Sequence, residues 1–309
     1  MFFFESIPLS SALMWIVVVA GLMLLNEMAR ASKWFSIGAF VILPIVLTFT
    51  VWNRTAGPGT SVGTWFHWVK VYSALAGCLG FMALRHIKGL SSNKYLLMFP
   101  PFILALNILE AVMRDFQCSG LNGLVDGVVM VGGPWNIMNG VAGLLNIITL
   151  SGWMGIYIGK DKQKDMIWPD QLWFWIIAYD LWNFAYVYNC VSDHAFYAGA
   201  ALLVSCTIPA FFIKKGAWLQ HRAQTLAFWM MFVMCYPAFV DTSRFAVKSS
   251  HNKTALMIVS GLSLAVNVAV FIYHFYRISK YKINPFKKEV YSDLNSYKAV
   301  SSDKNSAAL

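Results

Sequence analysis

Charge is scarce in this chain. Only 12 % of its 309 residues are Asp, Glu, Lys or Arg, about half the share of an ordinary soluble domain. Acidic side chains are the rarer sign, 14 against 24 basic. A water-soluble domain of useful size is thereby excluded. Metal and cofactor signatures are also missing. Cys78, Cys118, Cys190, Cys206 and Cys235 stand singly, without a CxxC pair, which argues against a zinc ribbon or an iron–sulfur site. There is no HExxH and no Gly-rich phosphate loop after a strand. The six histidines fall near the ends of expected helices, so paired mid-span haem ligands are not expected. No metal and no cofactor is anticipated. The first thirty residues lack a basic leading region and a small-x-small cleavage site, so a retained first helix is expected there rather than a signal peptide.

What the chain does contain is apolar: 58 % of its residues are hydrophobic and its mean hydropathy is +0.58. The apolar residues recur in runs of about 20, the length that spans a bilayer core. The expected fold is all-α, a polytopic transmembrane helix bundle of about nine spans. They fall near 10–29, 33–52, 63–84, 95–116, 134–158, 169–189, 194–213, 224–247 and 254–278. Residues 1–280 form one membrane domain, and 281–309 a basic, disordered tail.

Charge placement supports that count. Arg30 and Lys33, Arg85 to Lys94, Lys160 to Lys164, Lys214 to Arg222 and the tail all fall on one side. The other side holds only Arg54, Arg114, Arg244, Lys248 and Lys253. The positive-inside rule then places the N-terminus outside and the C-terminus in the cytoplasm. The net charge of +10 is confined to short loops and the tail. It therefore points to membrane lipids as partners and not to nucleic acid.

Several polar residues interrupt the spans. Asp180 sits near the middle of WPDQLWFWIIAYDLWNFAYVYN, where a carboxylate costs roughly 2.5–3.5 kcal/mol on insertion scales. Trp173 and Asn183 share a helical face with it. FPPFILALNILEAVMRDF stacks Asn107, Glu110 and Arg114, with Glu110 and Arg114 at the favourable i,i+4 spacing. Lys70 lies early in TWFHWVKVY, and Asp241 and Arg244 lie one turn apart beyond Pro237. Buried ions demand partners, so these side chains are expected to converge on one cavity in the outer half of the bundle. Lys70 is expected to pair with Asp180 or Glu110. Plainer readings stand beside this: Arg114, Arg244, Asp241 and Lys70 as interfacial or snorkelling charges, and Glu110 as a neutraliser of Arg114, while Asp180 lies far from either helix end. Cys118 and Cys190 fall together on the outer side, as a disulfide or as two thiols. The Gly-rich stretch 118–133, centred on Asp126, is expected as a re-entrant or lid segment, or as a surface loop. The helices expected to return after each outward one are rich in small residues, as in SALAGCLG and NGVAGLL. Parallel duplication and convergent packing both remain open.

WFHWVKVYSALAGCLGF, FPPFILALNILEAVMRDFQ and PWNIMNGVAGLLNI resemble an uncharacterised family of polytopic bacterial membrane proteins. That resemblance covers the whole chain and implies a multi-pass protein of the bacterial inner membrane, with no implied chemistry. A narrower likeness, WFWIIAYDLWNFAYVY followed by FYAGAALLVSC, is similar in texture to vitamin transporters of the nicotinamide-riboside type. The chain departs from that group in its span count and in lacking WxxWxxxN.

The leading functional expectation is transport of a small organic solute or cation at an acidic, aromatic-lined site, with Glu110 or Asp180 carrying a coupling proton. An intramembrane enzyme acting on a lipid-linked substrate, and a sensor or assembly subunit, are the alternatives. The orientation is directly testable. In a background with the five native cysteines replaced, Asp126→Cys is expected to react with a membrane-impermeant maleimide on intact cells. Lys162→Cys is expected to react only after permeabilisation, and the reverse pattern would invert the assigned topology.

Overall fold

In an apolar surrounding every backbone N–H and C=O must be bonded within its own segment, which makes long helices the default for these runs. The computed structural model describes residues 2–301. Its main helices are α1 (Leu9–Ala31), α2 (Lys33–Thr55), α3 (Trp65–His86), α4 (Phe99–Cys118), α5 (Pro134–Ile148) and α6 (Trp173–Cys190). These are followed by α7 (Ser192–Phe212), α8 (Trp218–Cys235), α9 (Lys253–Tyr281) and the short α10 (Asn295–Val300). Five helical segments are long and apolar enough to cross a membrane: α1, α2, the Lys94–Cys118 stretch that ends in α4, α7 and α9. Their outer faces agree, with Leu9, Ile16 and Val17 on α1, Ile45 and Phe49 on α2, and Ile258 and Leu262 on α9 all exposed.

Local sequence explains the irregular places. Ser32 separates the first two helices, and its side chain accepts from the Phe35 backbone N–H. Within α2, wide π-turns at Gly38–Ile42 and Thr48–Trp52 flank the turn that holds Pro44. Proline removes one N–H and pushes back the carbonyl a turn earlier, and a widened turn absorbs both effects. A third π-segment, Ala195–Ala201, opens α7. Gly199 in it meets Phe184 so closely that an added Cβ would lie 3.0 Å from the ring. Gly143 is tighter still, since a Cβ there would lie 2.5 Å from Val112 and 2.7 Å from the Trp182 indole. Small residues thus let α4, α5 and α6 approach closely.

The stretch expected as a lid, a re-entrant segment or a loop is a β-hairpin. Strands β1 (Asn122–Val125) and β2 (Val128–Val131) pair in register Asn122↔Val131 to Val125↔Val128. Asp126 and Gly127 form the turn with φ of 50° and 74°, the backbone that an Asp-Gly pair favours. The hairpin rests on loop 56–64, and a Cβ on Gly127 would meet Gly59 O at 2.8 Å.

Two helix boundaries differ from expectation. The fifth span, expected to reach residue 158, ends at Ile148 as α5. Gly152 then turns the chain in the left-handed region, and a small sheet of β3 (Tyr157–Ile158) and β4 (Met166–Ile167) follows. Hydropathy continues through this region, but the chain is paired with itself rather than helical. The eighth span was expected from 224 to 247. It instead runs Trp218–Cys235, six residues earlier, and draws Arg222 into the bundle.

The tail differs more. Residues expected to be disordered beyond 281 fold back under α6 and α9, and only 302–309 lie outside the described residues. Val290 and Tyr291 are buried. Their backbone N–H groups both donate to Asp170, at 3.0 Å each, and Ser151 Oγ donates to it at 2.5 Å. Arg277 pairs with Asp293, and its Nη2 donates to Val290 O. At this same end Arg30 binds Asp165 through two hydrogen bonds of 3.1 and 2.7 Å, and Gln220 adds a third at 2.6 Å. Burial pushes the Asp165 carboxyl up, but the Arg30 hydrogen bonds and charge outweigh it and hold the carboxyl below its ordinary value. Arg85 ties the cluster to the Arg30 carbonyl at 2.6 Å and to the Gln163 carbonyl.

Asp170 has no cationic partner among the described residues. Burial pushes its carboxyl up to about 6, against the opposing hydrogen bonds of Ser151, Val290 and Tyr291. An unfolded Asp titrates near about 4. Between those values the folded chain holds the extra proton, so this group's contribution to stability grows as pH falls from about 6 to about 4. Asp170→Asn is expected to flatten that slope. Apparent melting temperatures in lipid nanodiscs between pH 4 and 7 check it, and parallel profiles for the two proteins would refute it.

Candidate functional site

The helical period puts Tyr179, Asn183 and Tyr186 on one face of α6. Facing them are Phe66, His67 and Lys70 from the first turns of α3, Asn107 from α4, and Arg222 with Leu226 and Trp229 from α8. Ala198 and Leu202, in and beside the π-segment of α7, close the remaining side. Together they enclose a cavity of about 60 Å³. A second cavity of about 30 Å³ lies against Ser73, Gly77 and Phe81, and it shares Asn107, Tyr179, Arg222 and Leu226 with the first. Both are small spaces between the helices, mostly apolar, with a few polar groups set among aromatic rings.

The charges here are ordered. Lys70 Nζ lies 3.0 Å from Glu110 Oε2 and donates to the Asn107 carbonyl at 2.7 Å and to Asn107 Oδ1 at 3.1 Å. Ser73 Oγ reaches both Asn107 Oδ1 and Glu110 Oε2. Lys70 and Glu110 therefore do pair, one of the two partnerings expected, and Asn107 joins them. Arg222 is buried at 4 % exposure. Its Nε donates to Tyr179 Oη at 3.3 Å and its Nη2 to Asn183 Oδ1 at 3.1 Å, while Nη1 is buried with no partner. The guanidinium also lies 5.8 Å from the Tyr179 ring centroid, a cation–π distance.

Other expected members lie elsewhere. Trp173 is 56 % exposed. It lines an open apolar groove of about 620 Å³ between α6, α9 and the tail, not the central cavity. Trp173 is the first residue of α6 and so sits two turns from Asp180, at the bundle rim. Asp180 faces α7, where Thr207 Oγ1 donates to its Oδ2 at 2.7 Å. Its Oδ1 is buried without a partner. Arg114 donates to Gln117 Oε1 on its own helix at 2.8 Å rather than pairing with Glu110, which Lys70 has taken. Arg244 is exposed and stacks 4.7 Å from the Phe245 ring. Asp241 accepts from Ser61 Oγ at 2.6 Å and sits 3.1 Å from His194 Nε2. His194 lines the cavity, and its ring lies 6.2 Å from that of His67. Asp241 thus forms part of the cover at the hairpin end rather than part of the lining. Lys70, Arg114 and Arg244 thus do not converge on one site.

Two buried groups were not anticipated. Arg222, which follows Lys214 and Lys215, reads from the sequence as part of a basic loop. Its signal was the absence of any turn residue between Trp218 and Gln224. Asp115 was passed over beside Arg114 at a helix end. It is fully buried and accepts from Asn139 Nδ2 at 2.7 Å, Asn136 Nδ2 at 3.3 Å and Cys190 Sγ at 3.3 Å. Asn139 in turn accepts from Ser263 Oγ at 2.7 Å, so this network ties α4, α5, α6 and α9. The spacing of Asn136, Asn139 and Asn146 on one apolar helix was the available clue. Cys118 and Cys190 are both free thiols.

These elements define a helical protein whose apolar helices and buried polar centre suit a membrane. The chain belongs to a family of unknown function, DUF5692, whose model matches residues 5–303. No curated protein and no solved structure matches it.

Lys70 and Glu110 are expected to behave as one unit. Lys70→Met alone leaves a buried carboxylate without its cation and should cost about 3–5 kcal/mol. Lys70→Met with Glu110→Leu should recover most of that loss. A double-mutant cycle on unfolding in detergent measures the coupling, and additive single effects would show that the pair is not coupled.

Proposed function

We propose that this protein is a multi-pass membrane carrier for a small polar solute, with the cavity around Arg222, Lys70 and Asn183 as its binding site. The observation that carries this reading is a cavity lined by five different helices, into which Arg222, Lys70, Asn107 and Asn183 bring polar groups among mostly apolar walls. A purely structural core gains nothing from an unfilled polar centre, because each unmet polar group costs roughly 1–3 kcal/mol.

The chain is read as crossing the membrane nine times, with α3, α5, α6 and α8 as the crossings that the lipid touches least. The N-terminus and the hairpin lie outside. The basic end, with Lys33, Lys88, Lys160, Lys162, Lys215 and the folded tail, lies in the cytoplasm. The cavity is then closed on both sides. Outside it lie the His194–Asp241–Ser61 chain and the Phe66 ring. Inside it lie the Arg30–Asp165–Gln220 cluster and the Arg85 ties. A carrier must open one closure at a time, and small ion-pair clusters at either end suit a balance of a few kcal/mol between two states.

Accessibility tests the reading. Leu226→Cys places a thiol in the cavity wall. A membrane-impermeant methanethiosulfonate is expected to reach it from either face, one face dominating at a time. Adding Asp165→Asn, which loosens the inner closure, should speed labelling from the cytoplasmic face severalfold and slow it from outside. A cavity unreachable from both faces in both proteins would remove the carrier reading.

A further inference from the structure

We infer that the central cavity binds a compact monovalent anion, the size of chloride or formate, on the free edge of Arg222. The inference rests on the carrier reading of the cavity and names its ligand class. The hydrogen-bond inventory of the lining is unbalanced toward donors. Arg222 Nη1 is buried and unpartnered, and so is the hydroxyl of Tyr186. Tyr179 accepts from Arg222 Nε, so its own proton remains to be given. Asn183 accepts through its oxygen, and its amide nitrogen has no partner among the described residues. These four side chains all line the same cavity.

The matching acceptors are committed elsewhere. Glu110 is bound to Lys70 and Ser73, and Asp180 is bound to Thr207 on the far side of α6. Among the described residues no carboxylate lies within ion-pair distance of Arg222. Lys70 has given all three of its protons, two to Asn107 and one to Glu110. The cavity therefore carries one guanidinium that no carboxylate bonds directly, and the Asp180 charge reaches it only from longer range. A buried cation without a counterion is strongly penalised. A cationic ligand would be repelled, and a neutral one would leave the charge unmet. An anion supplies both the missing charge and the missing acceptor, and a guanidinium edge suits a halide or a planar carboxylate.

Size narrows the class. A volume of about 60 Å³, with about 30 Å³ beside it, holds only a few water-sized groups. Sugars, amino acids and nucleosides do not fit unless the bundle opens. The expected sign of the site is thus reversed: the acidic side chain once placed at its heart faces away, and an arginine stands in its place.

The test uses the full-length protein in nanodiscs. Melting curves are recorded in sodium chloride, bromide or formate against sodium gluconate at matched ionic strength, gluconate being too large for the cavity. A saturable rise in melting temperature with at least one of the three small anions is expected, and superimposable curves in all four salts would overturn the inference. Arg222→Gln should abolish the rise. Because that variant also alters the packing of a buried side chain, Tyr179→Phe serves as the milder change. It removes one donor and is expected to weaken apparent affinity about tenfold. A crystal grown in bromide should show anomalous density beside Arg222 Nη1, and an empty cavity at saturating bromide would also overturn the inference. Proteoliposome flux separates the two readings. Anion binding without flux sinks the carrier and keeps the anion site. Saturable flux of a neutral or cationic solute that small anions do not affect does the opposite.

Discussion

A charge taken out of water must be met inside the protein or it destabilises the fold by several kcal/mol. That constraint organises this molecule. Arg30 is met by Asp165, Lys70 by Glu110 and Arg277 by Asp293. In each case the two partners come from positions that packing of the bundle brings together, so each pair also fixes a register between segments. Arg30 and Asp165 are 135 positions apart in the chain, and their contact joins α1 to the loop before α6. Asp115 obeys the same rule by another route. It has no cation, and neutral amides and a thiol from α5 and α6 satisfy it instead. Arg222, like Arg85 and Arg114, has no carboxylate partner, and its guanidinium has hydrogen bonds on two edges and nothing on the third. That open edge, on a residue that lines the cavity, is the feature on which the proposed anion site rests.

Much of the fold was legible because the signal is local. Apolar runs of about 20 residues, Ser and Asn at helix starts, and Pro or Gly at breaks act within a few positions. The Asp-Gly turn of the hairpin is of this kind too, although the flanking valines read equally well as an interfacial patch. What was not legible depends on distant partners. The tail looked disordered because its own sequence is polar. It is held by Asp170, 120 positions away, and by Ser151 beyond that, and no local pattern announces such a clamp. The early end of α5 has the same cause. Gly152 sits so close to Asp170 that a Cβ would lie 2.4 Å from that side chain, so the turn exists to bring the clamp together.

The candidate site was half legible for a related reason. Lys70, Asn107, Glu110 and Asn183 were found because they are polar where the chain should be apolar. Asp180 was found by the same rule, but the rule does not say which way a side chain faces. One residue along α6 turns the direction by about 100°, and Tyr179, not Asp180, proves to face the cavity. Arg222 was lost to a charge-counting argument. The positive-inside rule treats a basic residue near a helix end as belonging to the loop. A buried arginine one turn into a helix violates that assumption whenever tyrosine and asparagine wait across the interface.

The same geometry bears on how two closures could be linked. His221 and Arg222 are adjacent on α8. His221 Nδ1 sits 2.8 Å from Asn26 Nδ2, on the α1 helix that carries Arg30. Gln220, the residue before it, donates to Asp165. Three consecutive residues of one helix therefore touch the inner ion-pair cluster, the α1 wall and the cavity. A rotation of α8 that brought Arg222 toward a ligand would pull on Gln220 and His221 together. Coupling between the proposed site and a closure needs a rigid element that both bias, and the first two turns of α8 touch both. The π-segment of α7 stands opposite, at Ala198 and Leu202, where a widened turn gives the facing wall room to follow.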